Sequence, residues 1–170
     1  DRFKQSFPWP INPWKKDGKN IIVCPPSNAM KEFRGVHNWL DKTLKTLEEN
    51  TDRPIIVKTK GYNPIIGVDK NGGYVVTGKD NQKPSGPIDW NDAYAIVTYN
   101  SNITLEATTR GIPCFTDPHN ACAPISETDF TKIETPKYID REPLYHSMAY
   151  GQFTAEEMRN GYAWRILDES

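Results

Sequence analysis

The residues best suited to bind or transform a ligand lie between Ala93 and Thr116, AYAIVTYNSNITLEATTRGIPCFT. Asn100 and Ser101 are both good N-cap residues, and they follow a short β-branched and aromatic run. If a helix begins after Ser101, Asn102 and Glu106 are four residues apart and share one of its faces. The helix start would then hold a phosphate through its free N–H groups, while Glu106 accepts hydrogen bonds from sugar hydroxyls. The alternatives are that Ser101 is only an N-cap and that Glu106 is a solvated helix residue.

Two lysines lie at the end of a second predicted strand. Lys58 and Lys60 occupy the last positions of the run that begins at Ile55. Because side chains alternate along a strand, both ammonium groups should lie on one side, at the carboxyl edge of the sheet. They are therefore candidate phosphate ligands, and the alternative is a pair of solvated lysines.

Two further loops that follow predicted strands carry polar candidates. Ser27 and Arg34 belong to the loop PPSNAMKEFRG after the first strand, and Arg34 is a third candidate cation for a phosphate. His119 lies in the run Asp117–Asn120, directly after the strand Pro113–Thr116, and is a candidate general base or phosphate partner. The alternative for this run is an ordinary turn, in which Asp-Pro and Asn are common residues.

The elements that would position these residues alternate between apolar runs and helical patterns bounded by Gly and Pro. This order predicts an α/β fold, a Rossmann-like three-layer domain with a mainly parallel sheet. The predicted parallel strands lie near residues 20–24, 55–59, 94–98 and 113–116. An amphipathic helix is predicted over Val36–Asn50, and a small hairpin around Asn71-Gly72-Gly73 is inserted before the third parallel strand. The loops after parallel strands share one edge, so we expect one crevice rimmed by Ser27, Lys58, Ser101 and His119.

The length of 170 residues predicts a single domain, 1–170, with an extended arm rich in Pro and aromatic residues over 1–19 and a helical tail over 139–170. The arm begins DRFKQSFPWP, which lacks the apolar stretch of a signal peptide. The tail is predicted to form two short helices, Glu142–Ala149 and Thr154–Tyr162, and Thr154–Glu157 has the form of a capping box.

Charge and cysteine content exclude several classes of partner. A net charge of −1 gives no reason to expect nucleic-acid binding, and a mean hydropathy of −0.71 without a long apolar run excludes a membrane span. The three cysteines, Cys24, Cys114 and Cys122, have the spacing of neither a disulfide framework nor a zinc site. They favour a reducing, cytoplasmic location, and we expect neither a metal nor a cofactor.

The segment TLEATTRGIPCF resembles the end of the donor-binding region of GT-B glycosyltransferases, where a Leu-Glu-Ala segment precedes small residues, Gly-x-Pro and a strand. TYNSNITLEATTRGIPCF is similar to capsule-polysaccharide transferase-like proteins, in which an Asn-Ser or Ser-Thr turn precedes the same helix. The resemblance implies that Glu106 binds the ribose of a nucleotide sugar and that Asn100 and Ser101 form the turn. Thr98 stands where the retaining families often have an earlier glutamate.

The resemblance further implies a domain that binds a nucleotide or nucleotide sugar at the carboxyl edge of its sheet, in polysaccharide synthesis. It covers the C-terminal half of a GT-B enzyme, so a second domain or a homo-oligomer would complete the site. One alternative is a non-catalytic binding or assembly module that retains this half-fold. Another is an α/β hydrolase, although the sequence lacks the G-x-S-x-G elbow of that class.

Overall fold

The computed structural model describes residues 2–6, 10–59, 63–80 and 85–168. The chain forms two compact units. Residues Ile11–Ile139 form the larger one, termed the sheet unit, and the residues up to Pro10 together with those from Asp140 onward form the helical unit. The tail that the sequence predicts from residue 139 therefore belongs, with the N-terminal residues, to a compact unit of its own.

The strands, all in the sheet unit, are β1 (Asn20–Cys24), β2 (Ile55–Val57), β3 (Asn63–Val68), β4 (Tyr74–Asp80), β5 (Ala93–Thr98) and β6 (Cys114–Thr116). Four of them form a sheet in the order β2-β1-β5-β6, and every pairing within it is parallel. All six residues of β5 are buried, as expected for a strand covered on both faces of a parallel sheet. The predicted α/β fold with a parallel sheet is confirmed.

The α-helices of the described residues are α1 (Arg2–Ser6), α2 (Asn28–Arg34), α3 (Trp39–Glu48), α4 (Ile103–Thr109), α5 (Glu142–Tyr150), α6 (Ala155–Arg159) and α7 (Tyr162–Asp168). Helix α3 covers one face of the sheet, where its Leu47 packs in a cluster with Val23 and Val97. Helix α4 covers the other face, where its Ala107 packs with Ile22 and Ile96. Ala95, Ile96 and Val97 of β5 thus alternate between the two cores, and the sheet lies between two helical layers, as the sequence predicts.

The predicted loop after the first strand is wrong, because α2 forms there. The Ser27 hydroxyl accepts a hydrogen bond from the Met30 N–H and caps the helix, while Gly35 ends it in the left-handed region at a φ of 64°. Helix α3 then begins at Trp39 and not at Val36. No residue of α2 is buried, and the helix is only seven residues long, so the spacing of its apolar residues Ala29, Met30 and Phe33 is too short a pattern to distinguish a helix from a loop.

The predicted hairpin is confirmed as the antiparallel pair β3–β4, which is inserted between β2 and β5. Its turn is closed by Asp69, whose Oδ1 accepts the N–H groups of Asn71 and Gly73 at 2.8 Å each. Gly72 has a φ of 80°, which glycine adopts without steric cost. The turn residues that signalled a hairpin therefore form its tip.

The predicted arm is irregular from Pro10 to Lys19, but Arg2–Ser6 is helical. The first proline of the chain is Pro8, so nothing in Arg2–Ser6 prevents a helix. In the sheet unit the arm pairs with the end of α4, where the Asn12 N–H donates to the Thr109 carbonyl at 2.9 Å. Gly111 follows α4 with a φ of 82°, and a Cβ there would lie 2.0 Å from the Pro13 carbonyl oxygen. Glycine at this position permits both the helix end and the close approach of the arm.

The helical unit contains the predicted capping box and two helices, α1 and α7, that the sequence does not predict. Thr154 accepts from the Glu157 N–H while the Glu157 carboxylate accepts from the Thr154 N–H. The predicted helix Thr154–Tyr162 ends early, as α6, at Arg159, and α7 begins at Tyr162 after Gly161, which has a φ of 78°. The guanidinium of Arg2 also donates to Glu157 at 2.9 Å, which joins α1 to α6.

Candidate functional site

The strand order places a topological switch point between β1 and β5. From β1 the chain passes through α3 to β2 on one side, whereas from β5 it passes through α4 to β6 on the other side. The two helices cover opposite faces of the sheet, so the connections diverge where β1 and β5 end. Ligands of doubly wound sheets bind in the crevice that such divergence opens at the carboxyl ends of the strands. The Thr98 hydroxyl donates to the Cys24 carbonyl at 2.7 Å and joins the two strand ends there.

Ser27 and Ser101 lie directly after these two strands, as the sequence predicts. The Ser27 hydroxyl accepts from the Met30 N–H, and the Ser101 hydroxyl accepts from the Ile103 N–H, each at 3.3 Å. Asn102, the residue before α4, makes no capping hydrogen bond with its side chain and is exposed, as is Asn100. Both serines therefore start helices. Because each capping bond uses an acceptor lone pair, each O–H remains able to donate to a ligand.

A buried asparagine holds the loop after β6 against the start of α4. Asn120 is only 5% exposed, and its Oδ1 accepts from the Cys122 N–H at 2.8 Å and from the Thr104 hydroxyl at 3.2 Å. Its Nδ2 donates to the Ser101 carbonyl at 3.4 Å. The sequence suggests only a turn residue at this position, since nothing local indicates that the amide is buried. The bridge fixes two of the predicted polar loops to each other.

His119 lies beside this bridge on the same loop. Its Nδ1 is 2.8 Å from Asp117 Oδ1, and the same oxygen accepts the His119 backbone N–H at 3.0 Å. The imidazole is 69% exposed, whereas the Asp117 carboxylate is mostly covered. The Asp117 N–H donates to the Tyr99 carbonyl at 3.2 Å, which fastens the loop to the end of β5. Residues 117–120 therefore form the turn that the sequence allows, and the same turn orients an accessible imidazole.

Two of the predicted cations, Lys58 and Arg34, have contacts within the chain, and the third lies outside the described residues. The Lys58 ammonium donates to the carbonyls of Ser85 at 2.7 Å and Pro87 at 3.0 Å, so it braces the chain returning from the hairpin. Arg34 is exposed at the end of α2, where its guanidinium lies 5.4 Å from the centre of the Phe33 ring. Lys60 is outside the described residues. The structure thus gives Lys58 a structural contact that strand alternation does not indicate.

Glu106 pairs with a neighbouring residue of its own helix. Its carboxylate accepts from Arg110 at 2.9 Å, and the Glu106 side chain is about half exposed. The Arg110 guanidinium in turn lies 4.9 Å from the centre of the Trp90 ring, which precedes β5. Since α4 runs from the carboxyl edge back to the amino edge, this pair draws the carboxylate away from Asn100 and Ser101. Glu106 and Asn102, the residue before α4, are both exposed, so the face that the sequence predicts them to share is open to solvent.

All four residues expected at the crevice follow carboxyl ends of parallel strands, in the order Lys58, Ser27, Ser101, His119 across the sheet. Neighbouring strands are about 4.8 Å apart, so the outer two residues follow strands about 14 Å apart. The switch point lies between the inner two. Ser27 and Ser101 therefore follow the two central strands. The loop of His119 is joined to Ser101 by Asn120, whereas Lys58 follows the outer strand.

Beneath this edge, the cysteines contribute to packing. Burial raises the pKa of the Cys114 thiol well above its ordinary value and also raises that of Cys122. Neither of them forms a disulfide, and nor does Cys24. In the part of the chain that the structure describes, no three His, Cys, Asp or Glu side chains are arranged to hold a metal ion.

A cleft of about 850 Å³ lies at the opposite, amino end of β1 and β2. Its lining is mostly polar and charged, and it includes Glu48, Asp52 and Glu134. Arg53 donates to Glu134 at 3.0 Å, and its guanidinium lies 3.5 Å from the centre of the Tyr94 ring. The sequence gives no sign of this pairing, because Arg53 and Glu134 are far apart along the chain.

Comparison of the chain with protein-family models, curated proteins and solved structures finds no match. Among the described residues, no helix is long and apolar enough to cross a membrane. The case for a function therefore rests on the geometry of the carboxyl edge.

Proposed function

We propose that the chain binds a nucleotide or nucleotide sugar at the carboxyl edge of its sheet, as a glycosyltransferase-like domain in polysaccharide synthesis. The observation that carries the proposal is the switch point between β1 and β5, which is followed on one side by Ser27 and on the other by Asn100 and Ser101. Crevices of this topology bind nucleotides in doubly wound sheets. The three cysteines, none of which forms a disulfide, fit the reducing cytoplasm as the compartment.

The chemistry of donor cleavage explains why hydroxyl and amide donors suit this position. When a nucleotide sugar reacts, negative charge develops on the departing phosphate, and preorganised donors stabilise it. Ser27 and Ser101 have their oxygens fixed by capping bonds, while their O–H groups are left to donate. The exposed Asn100 amide adds a further donor beside them.

The test is a titration with UDP-, GDP- and CMP-linked sugars, read by thermal shift and by calorimetry. We expect one nucleotide class to raise the melting temperature by several degrees, because a ligand that binds only the folded state stabilises it. Ser101→Ala should raise the dissociation constant about 10-fold, because it removes one hydrogen bond to a charged acceptor. Ser147→Ala is the matched control, since Ser147 is an exposed serine of the helical unit.

Ser101→Ala also removes a cap worth about 1 kcal/mol, so affinity must be measured on folded protein at a temperature well below melting. A panel in which no nucleotide binds would refute the proposal. Equal affinities for the Ser101 and Ser147 variants would instead remove Ser101 from the site.

A second candidate function is a non-catalytic binding or assembly module that retains the half-fold. It is favoured by the contacts of Glu106 with Arg110 and of Lys58 with the Ser85 and Pro87 carbonyls, since these charges already have partners within the chain. Such a module would bind without turning over any donor. Sedimentation analysis with and without nucleotide would then show whether it associates.

A further inference from the structure

We propose that His119, oriented by Asp117, is the proton acceptor of the carboxyl-edge site, where it takes the proton from an attacking hydroxyl. This inference rests on the proposed function and assigns it a base. The sequence offers His119 as one of several candidates, whereas the carboxylate that positions it is visible only in the structure.

The hydrogen bonds of Asp117 determine which nitrogen can act. Because Asp117 Oδ1 lies 2.8 Å from Nδ1, an imidazole that donates its Nδ1–H to the carboxylate keeps its lone pair on Nε2. The carboxylate would also stabilise the imidazolium that forms when Nε2 takes a proton. The backbone bond from the His119 N–H to the same oxygen fixes the distance between the two side chains.

The loop that carries the pair is anchored at both ends. The Asp117 N–H donates to the Tyr99 carbonyl, and the adjacent Asn120 donates to the Ser101 carbonyl and is itself buried. The imidazole is therefore accessible on a loop joined to the residues proposed to bind the leaving phosphate. An accessible base on a positioned loop is what proton abstraction from an acceptor requires.

The transfer needs no reagent other than the nucleotide sugar and the acceptor. The acceptor oxygen forms a bond to the anomeric carbon, and the bond from that carbon to the phosphate oxygen breaks. Its electron pair leaves with the nucleotide, and the acceptor's proton moves to Nε2 of His119. With water as the acceptor, the products are the free sugar and the nucleotide.

The experiment uses the full chain, the nucleotide sugar that raises its melting temperature, and water as the acceptor. Nucleotide release is measured for wild type and for His119→Ala, Asp117→Ala and His37→Ala. His37 is the matched control because it is also exposed and lies 3.6 Å from a carboxylate, that of Glu32. We expect His119→Ala to lower turnover by at least about 100-fold with little change in affinity. Asp117→Ala should lower it by about 10-fold, and His37→Ala should have no effect.

A spectroscopic readout separates positioning from general stability. Nitrogen-15 NMR of the neutral imidazole should show His119 protonated at Nδ1 in the wild-type chain, and Asp117→Ala should shift the population towards protonation at Nε2. A purely structural Asp117 would leave the tautomer unchanged, and that result would overturn the proposal.

The negative results of this experiment distinguish a wrong base from a wrong function. If a nucleotide sugar binds and His119→Ala releases nucleotide as fast as wild type, the base is wrong while the proposed function stands. Binding without any release by the wild-type chain also overturns the base, since a residue that activates a hydroxyl should activate water. If no nucleotide sugar binds, the proposed function itself fails, and the base fails with it.

Discussion

Replacing Asn120 by alanine should loosen two polar loops of the carboxyl edge at once. Its side chain is the link between the Ser101 carbonyl at the start of α4 and the loop after β6. Because the amide is almost fully buried, water cannot easily replace the bonds that it makes. The substitution therefore tests whether the two loops form one structure.

The expected cost follows from the groups left behind. The Cys122 N–H loses its 2.8 Å acceptor inside the protein, which costs about 1–3 kcal/mol for an unpaired buried donor. The Thr104 hydroxyl loses a bond of 3.2 Å but keeps its 3.0 Å bond to the Ser101 carbonyl, so its loss is about 0.5 kcal/mol. With the cavity added, the unfolding free energy should fall by about 2–4 kcal/mol. For a chain of this size that lowers the melting temperature by roughly 5–15 °C.

The assay is urea unfolding of the variant, combined with hydrogen exchange at the Cys122 amide to locate the effect. Asn102→Ala is the matched control, because Asn102 is exposed and makes no capping bond with its side chain. The control should change the unfolding free energy by less than about 0.5 kcal/mol. If Asn120→Ala behaves like the control and the Cys122 amide exchanges at the wild-type rate, the bridge does not hold the loops.

Three other outcomes follow from side chains whose environments are equally defined. Glu106→Gln breaks a half-exposed pair with Arg110, so it should lower the unfolding free energy in urea by no more than about 0.5 kcal/mol and leave nucleotide affinity unchanged. A 10-fold loss of affinity would instead support the ribose contact that the resemblance implies. Thr116→Val should raise the unfolding free energy by about 1 kcal/mol, because the buried Thr116 hydroxyl has no hydrogen-bond partner among the described residues; a decrease would refute this. In the helical unit, the hydrogen bond from Arg2 lowers the pKa of Glu157 from 4.5 to about 2, which carbon-13 NMR titration should show. Since the pKa is lower in the folded state, the stability from Glu157 is present above pH 4.5 and is lost as the pH falls towards 2. Arg2→Ala should raise the pKa of Glu157, and an unchanged pKa would contradict the role of Arg2.

The sheet could be predicted because its signals are local. Tyr94–Thr98 is a short apolar run, and Gly111 with Pro113 marks where a helix must stop and a strand can begin. These signals depend on the backbone preferences of single residues, which hold whatever the rest of the chain does. The strand is buried along its whole length, and Gly111 ends the helix with a φ of 82°.

Helix α2 and the partners of the charged side chains could not be predicted in the same way. Helix α2 is seven residues long and has no buried residue, so its few apolar residues form too short a pattern to predict a helix. The contact of Lys58 with Ser85 depends on how the inserted hairpin returns to the sheet, and a strand pattern contains no such information. A local pattern predicts where a side chain is attached, whereas its partner is determined by tertiary structure.

Glu106 and the switch point differ in the same way, since one depends on a single side chain and the other on the strand order. The resemblance assigns Glu106 a role through its neighbours in sequence, but the structure pairs that carboxylate with Arg110 on a solvated helix face. The switch point does not depend on any one side chain, because strand order and the faces covered by α3 and α4 create it. A ligand at this edge would therefore meet mainly neutral donors from the loops after β1 and β5, together with the imidazole of His119. For that reason the residues to alter first are Ser101 and His119, and Glu106 serves as the comparison.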